Sequence, residues 1–466
     1  MFEPLLAFFR TRPDKPLISD DKARIRTLYE RRRWSVFLST MIGYGMFYTC
    51  RINFSVAKKP MLDEGVLDTT QMGIIGSVML IVYAVGKASN GFLADRANIA
   101  RFMSTGLLIS ALANLAFGFT DWFMFFALLW GVSGWFQSMG SAPSVVAISH
   151  WFSNKERGTR YGLWSTCHSI GEALTFLVTA SLVAWLGWRW GFWGPGLLCV
   201  LAALVMYKTL ADRPQTYGLP HINEYKQDFT GVKVGGKGKA TGRAQLAVLK
   251  NPYIWILGMA SASIYMARYG MNNWGVLYLQ EAKGYDLVSA GAVMGTYPLL
   301  GLAGAAVSGW FSDRFFGSRR TAPALLFGFL ELGSLIALFL IPPEMRWADM
   351  VALGCFGFAL GGLLVYLGGL MAVDLSAQDA AGAAMGVVGM FSYMGAALQD
   401  TVSGMLLDAD STVIDGVTTY DFTNVQIFWV GASALSIVLA AFTWPAYRKV
   451  GSPASQAATT GGADLG

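Results

Sequence analysis

The chain has 466 residues, of which 54% are hydrophobic and only 14% charged, and its formal net charge is +6. Soluble globular proteins have about 25% charged residues, so this composition excludes an ordinary soluble domain and indicates a multi-pass membrane protein. The basic residues cluster between apolar segments. We therefore interpret the positive charge as a property of loops at a membrane, and we expect no nucleic-acid partner.

The apolar segments divide the chain into two similar halves. A polar arm, residues 1–33, comes first and is not typical of a cleaved signal peptide. A charged, glycine-rich central loop occupies 211–250, and a polar tail occupies 447–466. About 20 apolar residues suffice to span a bilayer as a helix. On this basis we predict six spans in residues 34–210 and six in 251–446, at 34–57, 72–94, 101–119, 122–147, 161–186, 190–210, 252–279, 288–311, 321–342, 348–373, 382–407 and 425–446.

The first span carries a cation well inside its apolar run, at Arg51. A charge near the middle of a membrane helix costs at least about 2.5–3.5 kcal/mol and usually faces a water-filled interior. Tyr44, Tyr48 and Arg51 follow one another at spacings of four and three, so they share one helix face. The seventh span repeats the arrangement, with Arg268 between Tyr265 and Asn272.

The two halves also share a second motif. Span two ends in Gly91-Phe-Leu-Ala-Asp95-Arg96, and span eight ends in Gly309-Trp-Phe-Ser-Asp313-Arg314. Arg51 lies 44 residues before Asp95, and Arg268 lies 45 before Asp313. A six-helix unit thus occurs twice in parallel, which is typical of major facilitator transporters, whose site lies near the midplane. The predicted fold is an all-α integral membrane protein with twelve helices, and Asp95, Arg96, Asp313 and Arg314 are predicted to form a cytoplasmic latch.

Lysine and arginine in the short loops predict the orientation. The arm, the central loop and the turns after spans two, four, eight and twelve are basic, whereas the 408–424 loop has none of these residues. Both termini are therefore predicted to lie in the cytoplasm; the opposite topology would need Lys58 and Lys59 to outweigh all of these basic loops. The four cysteines lie in apolar segments without paired spacing, so we expect core residues and neither a disulfide nor a metal site, at Cys50, Cys167, Cys199 and Cys355.

These motifs resemble the organophosphate:phosphate antiporter family of the major facilitator superfamily over essentially the whole chain. The branch that the chain most resembles contains hexose-phosphate transporters and sensors, with the glycerol-3-phosphate transporter nearby. The resemblance rests on Gly43-Tyr44 to Arg51-Ile-Asn-Phe54, Tyr83-Ala-Val-Gly-Lys87, Asp95-Arg96-Ala-Asn98, Gly134-Trp-Phe-Gln137, Glu156-Arg157-Gly158, Trp164-Ser-Thr-Cys-His168, Asp212-Arg-Pro-Gln215, Arg268-Tyr-Gly270 with Trp274, and Gly309 to Asp313.

The resemblance implies uptake of a phosphorylated small metabolite in exchange for inorganic phosphate across a bacterial inner membrane, without a cofactor and as a monomer. It implies that Arg51 and Arg268 bind the phosphoryl group. It also implies that five further positions shape the substrate cavity or bind at it: Tyr44, Tyr48, Lys87, His168 and Tyr393. To these we add the aromatic and amide neighbours of the arginines, Tyr83, Tyr265 and Asn272.

The sequence departs from the family pattern in its acids. Asn273 stands where the family usually has aspartate, and Pro298 where it has a glutamate. Conversely, Glu172 replaces a glycine one helical turn after His168, and Asp400 is an additional acid. Glu172 is predicted either to hydrogen-bond His168 and tune it, or to contact the organic part of the ligand. The identity of the organophosphate is therefore left open.

Other interpretations of the site residues compete with ligand binding. The two arginines could form salt bridges to intramembrane acids, although no acid recurs beside them at matched positions. Lys87 could extend to the membrane surface, His168 could be a hydrogen-bonded core residue, and Tyr393 could serve packing alone.

Two functions from different classes remain open. The first is transport by alternating access, and the second is a non-transporting sensor of a sugar phosphate that signals through a partner membrane kinase. An intramembrane enzyme is disfavoured, because the sequence pairs no nucleophile with a base and has no cluster of metal ligands.

Overall fold

The computed structural model describes residues 7–18, 21–94, 97–228, 246–316, 320–376, 381–414 and 417–445. Three predicted features lie outside these residues: Asp95 and Arg96 of the latch, the basic stretch 229–245 of the central loop, and the tail. The chain divides into two compact units, Met1–Gly236 with Asp286–Gly295 and Lys237–Tyr285 with Thr296–Gly466. In its described residues, each unit consists mainly of helices.

The helices of the first unit follow one another with short connections. They are α1 (Lys22–Asp63), α2 (Thr69–Ala94), α3 (Ile99–Phe117), α4 (Phe123–Gln137), α5 (Ser141–Trp151), α6 (Asn154–Leu186), α7 (Trp190–Thr209), a 3₁₀ turn at Pro214–Tyr217 and the short α8 (Ile222–Lys226). Helix α1 packs mainly against α6 and α7, α2 against α5 and above all α4, and α3 against α7 and α4.

The second unit has a similar succession. It contains α9 (Pro252–Glu281), the part of α10 (Leu287–Phe316) from Thr296 onwards, α11 (Thr321–Leu340), α12 (Arg346–Val365), a π-helical turn at Tyr366–Leu370, α13 (Met371–Asp374), α14 (Ala381–Ala409) and α15 (Thr423–Phe442). Helix α9 packs against α14 and α15, as α1 packs against α6 and α7. Between α14 and α15, Ser411–Ile414 (β1) and Val417–Tyr420 (β2) form an antiparallel hairpin, which the all-α prediction did not include.

Side-chain caps explain where several helices begin. The Asp21 carboxylate accepts a hydrogen bond from the Ala23 amide at 2.9 Å and so starts α1. Asn98 accepts from the Arg101 amide at 3.1 Å at the start of α3, and Asn251 accepts from the Tyr253 amide at 3.0 Å at the start of α9. Aspartate and asparagine are favoured at this position because the first backbone amides of a helix have no partner within it.

Eight helical segments in the described residues are long and apolar enough to cross a membrane. They coincide with eight predicted spans: Thr69–Gly91, Ile99–Phe117, Lys155–Leu186, Trp190–Thr209, Leu287–Phe316, Thr321–Leu340, Arg346–Asp374 and Thr423–Phe442. The other four predicted spans fall on α1, on α4 with α5, on α9 and on α14. The count of twelve spans rests on the sequence.

The predicted span over 122–147 consists of two helices with a break between them. Helix α4 ends at Gln137, and α5 begins at Ser141. At the break, the Ser138 hydroxyl donates to the Trp135 carbonyl at 2.7 Å and accepts from the Asn90 amide at 2.7 Å. Gly140 lies against the rings of Tyr44 and Phe47, where a Cβ atom would be 3.0–3.1 Å from ring carbons. The tight approach of α1 thus accompanies the interruption, which leaves Gln137 at a helix end.

The arm is part of the first unit, not a separate segment before it. Helix α1 begins at Lys22, so the predicted boundary between residues 33 and 34 falls inside a helix. Residues 7–18 lie along the unit through three backbone hydrogen bonds: the Asn98 amide donates to Phe9 at 2.6 Å, the Lys15 amide to Gln215 at 3.0 Å, and the Ile18 amide to Gly218 at 2.9 Å.

A glycine in the 3₁₀ turn lets the arm approach. Gly218 has a φ of +70°, a backbone conformation that favours glycine. A Cβ atom at this position would lie 2.5 Å from the Pro16 carbonyl oxygen. The contact between the arm and the turn therefore depends on the absence of a side chain at Gly218.

The cysteines agree with the prediction at three positions and differ at one. All four cysteines are free thiols, and Cys50, Cys167 and Cys199 are buried as predicted. Cys355 is exposed on α12, so its prediction as a core residue is wrong. Small apolar character alone did not indicate which face of the helix it occupies.

Candidate functional site

In the first unit, the Arg51 side chain is held by a hydrogen bond from another helix. Its Nε donates to Gln137 Oε1 at 2.9 Å. The other end of the same amide, Gln137 Nε2, donates to the Cys50 carbonyl at 3.0 Å. Gln137 is fully buried, so both ends of its amide are used between α4 and α1. This double contact fixes the guanidinium relative to the backbone of α1.

Two tyrosine rings lie against the same guanidinium. The Arg51 Cζ lies 4.7 Å from the centroid of the Tyr48 ring and 4.5 Å from that of Tyr83. Tyr44 packs edge-to-face on Tyr48, with 5.6 Å between centroids, and stacks on Trp164 at 4.9 Å. A cation within about 6 Å of a ring centroid is attracted by the negative face of the ring, more so where water is excluded.

Buried asparagines join the helix that carries Arg51 to its neighbours. Asn53 Nδ2 donates to Asn114 Oδ1 at 2.7 Å and to the Gly191 carbonyl at 2.9 Å. Asn114 Nδ2 in turn donates to the Cys50 carbonyl at 3.0 Å. The Cys50 carbonyl, one residue before Arg51, therefore accepts from both Asn114 and Gln137. Hydrogen bonds of this kind between helices restrict how α1 can rotate or slide at the arginine.

The three other candidates on α2 and α6 differ in burial. The His168 ring lies 5.8 Å from the Tyr48 ring between centroids; its Nδ1 contacts the Ser165 carbonyl, and its Nε2 lies 3.3 Å from Ser169 Oγ. Glu172, one turn later on α6, is buried. Lys87 is exposed on α2, one turn after Tyr83. The structure thus groups His168 with the tyrosines around Arg51.

In the second unit, Arg268 is half-buried on α9 among tyrosines. Its Cζ lies 5.5 Å from the centroid of the Tyr265 ring and 5.4 Å from that of Tyr269. Tyr393 on α14 approaches both rings edge-on, at centroid distances of 5.7 and 6.3 Å. Helices α9 and α14 can approach closely because Gly395 has no side chain; a Cβ atom there would be 2.5 Å from the Ala262 carbonyl.

The polar residues that follow Arg268 bind to neighbouring helices. Asn272 is buried, and its Oδ1 accepts a hydrogen bond from the Tyr297 hydroxyl at 3.3 Å. Asp400 is buried on α14 and accepts from Asn273 Nδ2 at 2.9 Å and from Trp274 Nε1 at 2.7 Å. The unusual acid Asp400 is therefore hydrogen-bonded by the two residues at which this chain carries Asn-Trp in place of Asp-Trp.

The predicted latch is described only in the second unit. Asp313 forms a salt bridge with Arg320, with 2.8 Å between Oδ1 and Nη1, and the adjacent Arg314 is exposed. Arg320 Nη1 also donates to Ser312 Oγ at 2.9 Å, and Arg320 Nε lies 3.7 Å from Asp374 Oδ2. The described ion pairs therefore connect the end of α10 to α13 through Arg320, seven residues beyond Asp313.

Sequence reasoning did not assign a role to three residues that contact the candidates: Gln137, Tyr269 and Tyr297. A signal for Gln137 existed, because an amide inside an apolar segment has to find a partner. Its partner is 86 residues away in the chain, which spacing within a helix cannot reveal. Tyr269 directly follows Arg268, and helical periodicity places consecutive residues on different faces of a helix. The long arginine side chain nevertheless reaches the Tyr269 ring.

A model of the Major Facilitator Superfamily matches residues 36–399 of the chain. The chain belongs to this superfamily. A solved structure of a bacterial homologue of the human lysosomal transporter Spinster, inward-facing and unoccupied, aligns with a TM-score of 0.71 at 17% identity, covering 90% of this chain and 97% of that one. At that identity the likeness shows the fold alone, and the predicted major facilitator fold is confirmed.

Relatives support a more specific resemblance. The chain is 35% identical to the membrane sensor protein UhpC of Salmonella typhimurium, over 84% of this chain and 89% of the relative. It is 33% identical to a probable hexose phosphate transport protein of Chlamydia pneumoniae, over 92% and 95%. It is 31% identical to the glycerol-3-phosphate transporter of Bacillus subtilis, over 94% and 98%. These matches confirm the family resemblance, and this major facilitator protein is a multi-pass membrane protein and not an enzyme.

Proposed function

We propose that this major facilitator protein imports a phosphorylated small metabolite in exchange for inorganic phosphate by alternating access. The metabolite is a sugar phosphate such as hexose 6-phosphate, or glycerol 3-phosphate. The observation that carries the proposal is the recurrence of one arrangement in both repeats. Arg51 and Arg268 stand at matching positions, and each lies against the rings of two tyrosines, one of them three residues earlier in the same helix.

The chemistry of the two arginines suits a phosphoryl group. Guanidinium is planar and presents paired N–H donors whose geometry matches two phosphate oxygens. At Arg51 the Nε–H donates to Gln137, so a phosphate would be met there by the two terminal nitrogens. The tyrosine rings have no net charge, so their faces stabilise each guanidinium without neutralising it.

The remaining candidates receive narrower roles in the proposal. Tyr44, Tyr48 and Tyr83 shape the first unit's surface around Arg51, and Tyr265, Asn272 and Tyr393 do so around Arg268. His168, which lies beside Tyr48, is proposed to contact the phosphate or move a proton, because histidine titrates near physiological pH. Lys87 is proposed to attract the anionic substrate, which agrees with its exposed position one turn beyond Tyr83. Glu172 is proposed to tune His168 from one turn away.

Obligate exchange follows from the charges. If both arginines bind one phosphoryl group, the empty site carries two like charges, and closing it would remove both from water. A bound phosphate neutralises them, so closure is favourable only when the site is loaded. A ligand shifts a conformational equilibrium only by its difference in affinity for the two states. Inorganic phosphate satisfies the same arginines, which is why it can serve as the counter-substrate.

The membrane is proposed to be a bacterial inner membrane, with both termini and the central loop in the cytoplasm. The support is the basic character of alternate loops in the sequence. A single cysteine introduced at Lys22, the first residue of α1, in a variant without the native cysteines should react with an impermeant maleimide only after the membrane is opened. Labelling in intact cells would instead indicate that the N-terminus lies outside the cytoplasm.

Proteoliposomes test the transport function. Purified protein is reconstituted with unlabelled phosphate inside, and uptake of labelled phosphate is measured with and without external hexose 6-phosphate or glycerol 3-phosphate. We expect phosphate uptake that depends on internal phosphate and is inhibited by the organophosphate that is the substrate. Protein-free liposomes and liposomes without internal phosphate are the controls, and uptake that is independent of internal phosphate would contradict the exchange mechanism.

A second function is favoured by one specific observation, the 35% identity to a membrane sensor protein. In this alternative the same residues bind a sugar phosphate, and the protein signals through a partner membrane kinase without moving the ligand. The same proteoliposomes discriminate the two functions. A ligand that raises the melting temperature of the purified protein but elicits no flux would favour the sensor, and flux at substrate concentrations near the binding constant would favour the transporter.

A further inference from the structure

Five cations surround the end of α7 in the first unit, apart from the candidate site. Arg31 and Arg32 lie on α1, Lys208 on the last turn of α7, Arg101 on the first turn of α3, and Arg12 on the arm. Within the described residues, no carboxylate lies within 4.0 Å of any of these five side chains. Like charges that line the same cavities repel one another, so the cluster favours an anion.

Three acids lie close to this cluster in the chain, and they form ion pairs or hydrogen bonds with other residues. Glu30 pairs with Arg33 at 3.1 Å. Asp14 pairs with Arg213 at 3.0 Å. Asp212 is buried, and its carboxylate accepts from Asn98 Nδ2 at 3.2 Å and from the Ile99 amide at 3.4 Å. Burial raises the pKa of the Asp212 carboxyl, although the nearby charges of Arg213 and Arg12 act in the opposite direction. Asp14 is therefore paired with Arg213, and Asp212 offsets only part of the positive charge, at Arg12.

The cations line two adjoining cavities that share Arg32, Lys208 and Thr209. One has a volume of about 400 Å³ and also includes Arg31 and Ser35. The other has a volume of about 200 Å³ and also includes Arg12, Arg101 and Tyr217. A water molecule occupies about 30 Å³, so each cavity has room for a phosphodiester group.

The surrounding contacts hold the walls of these cavities in place. Ser35 Oγ donates to the Thr209 carbonyl at 2.8 Å, and Ser39 Oγ donates to Thr209 Oγ1 at 2.8 Å, which ties α1 to the end of α7. The Arg32 guanidinium lies 4.1 Å from the centroid of the Tyr217 ring. Arg101 Nη1 donates to the Phe8 carbonyl at 2.8 Å, which fixes the arm beside the cavity. The cluster is thus ordered by five different segments of the unit: α1, α7, the 3₁₀ turn, α3 and the arm.

The cavities adjoin a helix surface suited to lipid. Leu204, Val205 and Tyr207 on the last turns of α7 are 53%, 51% and 47% exposed, and α7 is one of the helices apolar enough to span a membrane. Acyl chains lying along these side chains would bring a headgroup to the end of the helix, where Lys208 and Arg32 lie. Basic pockets between membrane helices are typical binding places for anionic lipid headgroups.

We propose that this cluster binds the phosphate of an anionic phospholipid, such as phosphatidylglycerol, at the membrane surface. The site lies entirely within the first unit and is independent of the proposed transport function. A free phosphate ion shares the headgroup's anionic chemistry but lacks the acyl chains. The exposed apolar surface of α7 favours the lipid.

The test is a lipid titration of the full-length protein by native mass spectrometry in detergent, with phosphatidylglycerol and phosphatidylcholine as probes. The double variant Arg32→Gln/Lys208→Gln removes the two cations shared by both cavities. Lys22→Gln/Arg24→Gln is the matched control, because it removes the same charge from exposed positions of α1 that line neither cavity. The single variant Lys208→Gln keeps the Arg32–Tyr217 contact, so it still tests the site if the double variant fails to fold.

We expect the wild type and the control to bind phosphatidylglycerol more tightly than phosphatidylcholine, and the double variant to lose roughly tenfold or more of that affinity. Lys208→Gln should lose part of it. Equal affinity of wild type and double variant, or equal affinity for both lipids, would overturn the proposal. Displacement of phosphatidylglycerol from this site by excess inorganic phosphate, measured in the same titration, would assign the cluster to a free anion and overturn the lipid assignment.

Discussion

The two units surround their arginines in different ways. Arg51 is tied by a hydrogen bond to Gln137, whose amide also binds the backbone of α1, and buried asparagines reinforce that backbone. Arg268 lies among three mutually packed tyrosine rings, Tyr265, Tyr269 and Tyr393. A hydrogen-bonded amide fixes direction, whereas ring faces attract a cation with weaker directional preference. We infer that the Gln137 amide fixes the direction of the Arg51 guanidinium, which then serves as an anchor for phosphate.

Lysine at either arginine tests whether both contribute. Arg51→Lys and Arg268→Lys keep the charge but lose the planar pair of donors. Hydrogen bonds to charged groups are worth about 1.5–3 kcal/mol, so each variant should lower phosphate exchange in proteoliposomes by roughly a hundredfold.

Arg189→Lys and Arg346→Lys are matched controls, because both arginines lie at the ends of spans, Arg346 exposed and Arg189 half-buried. Their exchange rates should stay close to that of the wild type. Near-normal exchange in Arg268→Lys would end the proposal of a shared phosphate site and leave Arg51 alone in that role.

Removal of the anchor should affect only the first unit's arginine. Gln137→Leu leaves the Arg51 Nε–H and the Cys50 carbonyl without the amide, so the guanidinium loses its fixed direction. We expect the concentration of phosphate required for half-maximal exchange to rise about tenfold, which corresponds to about 1.4 kcal/mol.

Gln399→Leu is the matched control for Gln137→Leu. Gln399 is likewise fully buried, but its amide donates to Ser403 at 2.9 Å. If both variants weaken exchange equally, the effect comes from disturbed packing, and the anchor role of Gln137 is wrong.

Glu172 tests whether the first unit also controls protonation. Glu172→Gln removes a buried carboxylate one turn from His168. If the carboxylate tunes the histidine, the pH profile of exchange should shift by about one pH unit, equivalent to about 1.4 kcal/mol, while the preference among organophosphates stays the same.

A changed ligand preference with an unchanged pH profile would instead make Glu172 a contact of the organic group. His168→Gln provides the control, because the pH shift should be absent from the Glu172→Gln/His168→Gln double variant. If only the melting temperature falls, Glu172 has a structural role.

The tyrosine faces around Arg268 should contribute less than the Gln137 amide. A cation–π contact is worth about 0.5–2 kcal/mol, so Tyr269→Leu should weaken phosphate binding roughly fivefold. Tyr269→Phe retains the ring and should behave like the wild type. Equal loss in both variants, measured by phosphate-dependent thermal shifts, would assign the effect to the hydroxyl and not to the ring face.

The smallest effect is expected at the second unit's ion pair. Asp313 is 58% exposed, and exposed pairs contribute about 0.2–1 kcal/mol. Asp313→Asn should therefore raise the labelling of an introduced cysteine from the cytoplasmic side, by up to about fivefold. Phosphate binding should stay unchanged. Arg314→Gln is the control, since Arg314 is exposed beside the pair. Equal labelling of Asp313→Asn and the wild type would remove the latch role.

The sequence by itself determined the features that depend on local pattern. Apolar length predicted helices throughout the chain, and the offsets between each arginine and its acid-containing turn showed the repeat. Helical spacing placed Tyr48 three residues before Arg51 and Tyr265 three residues before Arg268, and the structure has each ring against its arginine. These relations lie within one helix, where backbone geometry fixes which residues are neighbours.

Only the tertiary structure decided the partners that come from other helices. In the structure, the predicted span is interrupted at 138–140, Cys355 is exposed, and Asp313 forms a salt bridge with Arg320. The tertiary structure also brings Gln137 to Arg51 and Tyr393 to Tyr265. An apolar segment has several faces of similar composition, and the face that meets a given neighbour depends on close approaches such as those at Gly140 and Gly395. The periodicity of a single helix does not predict those close approaches.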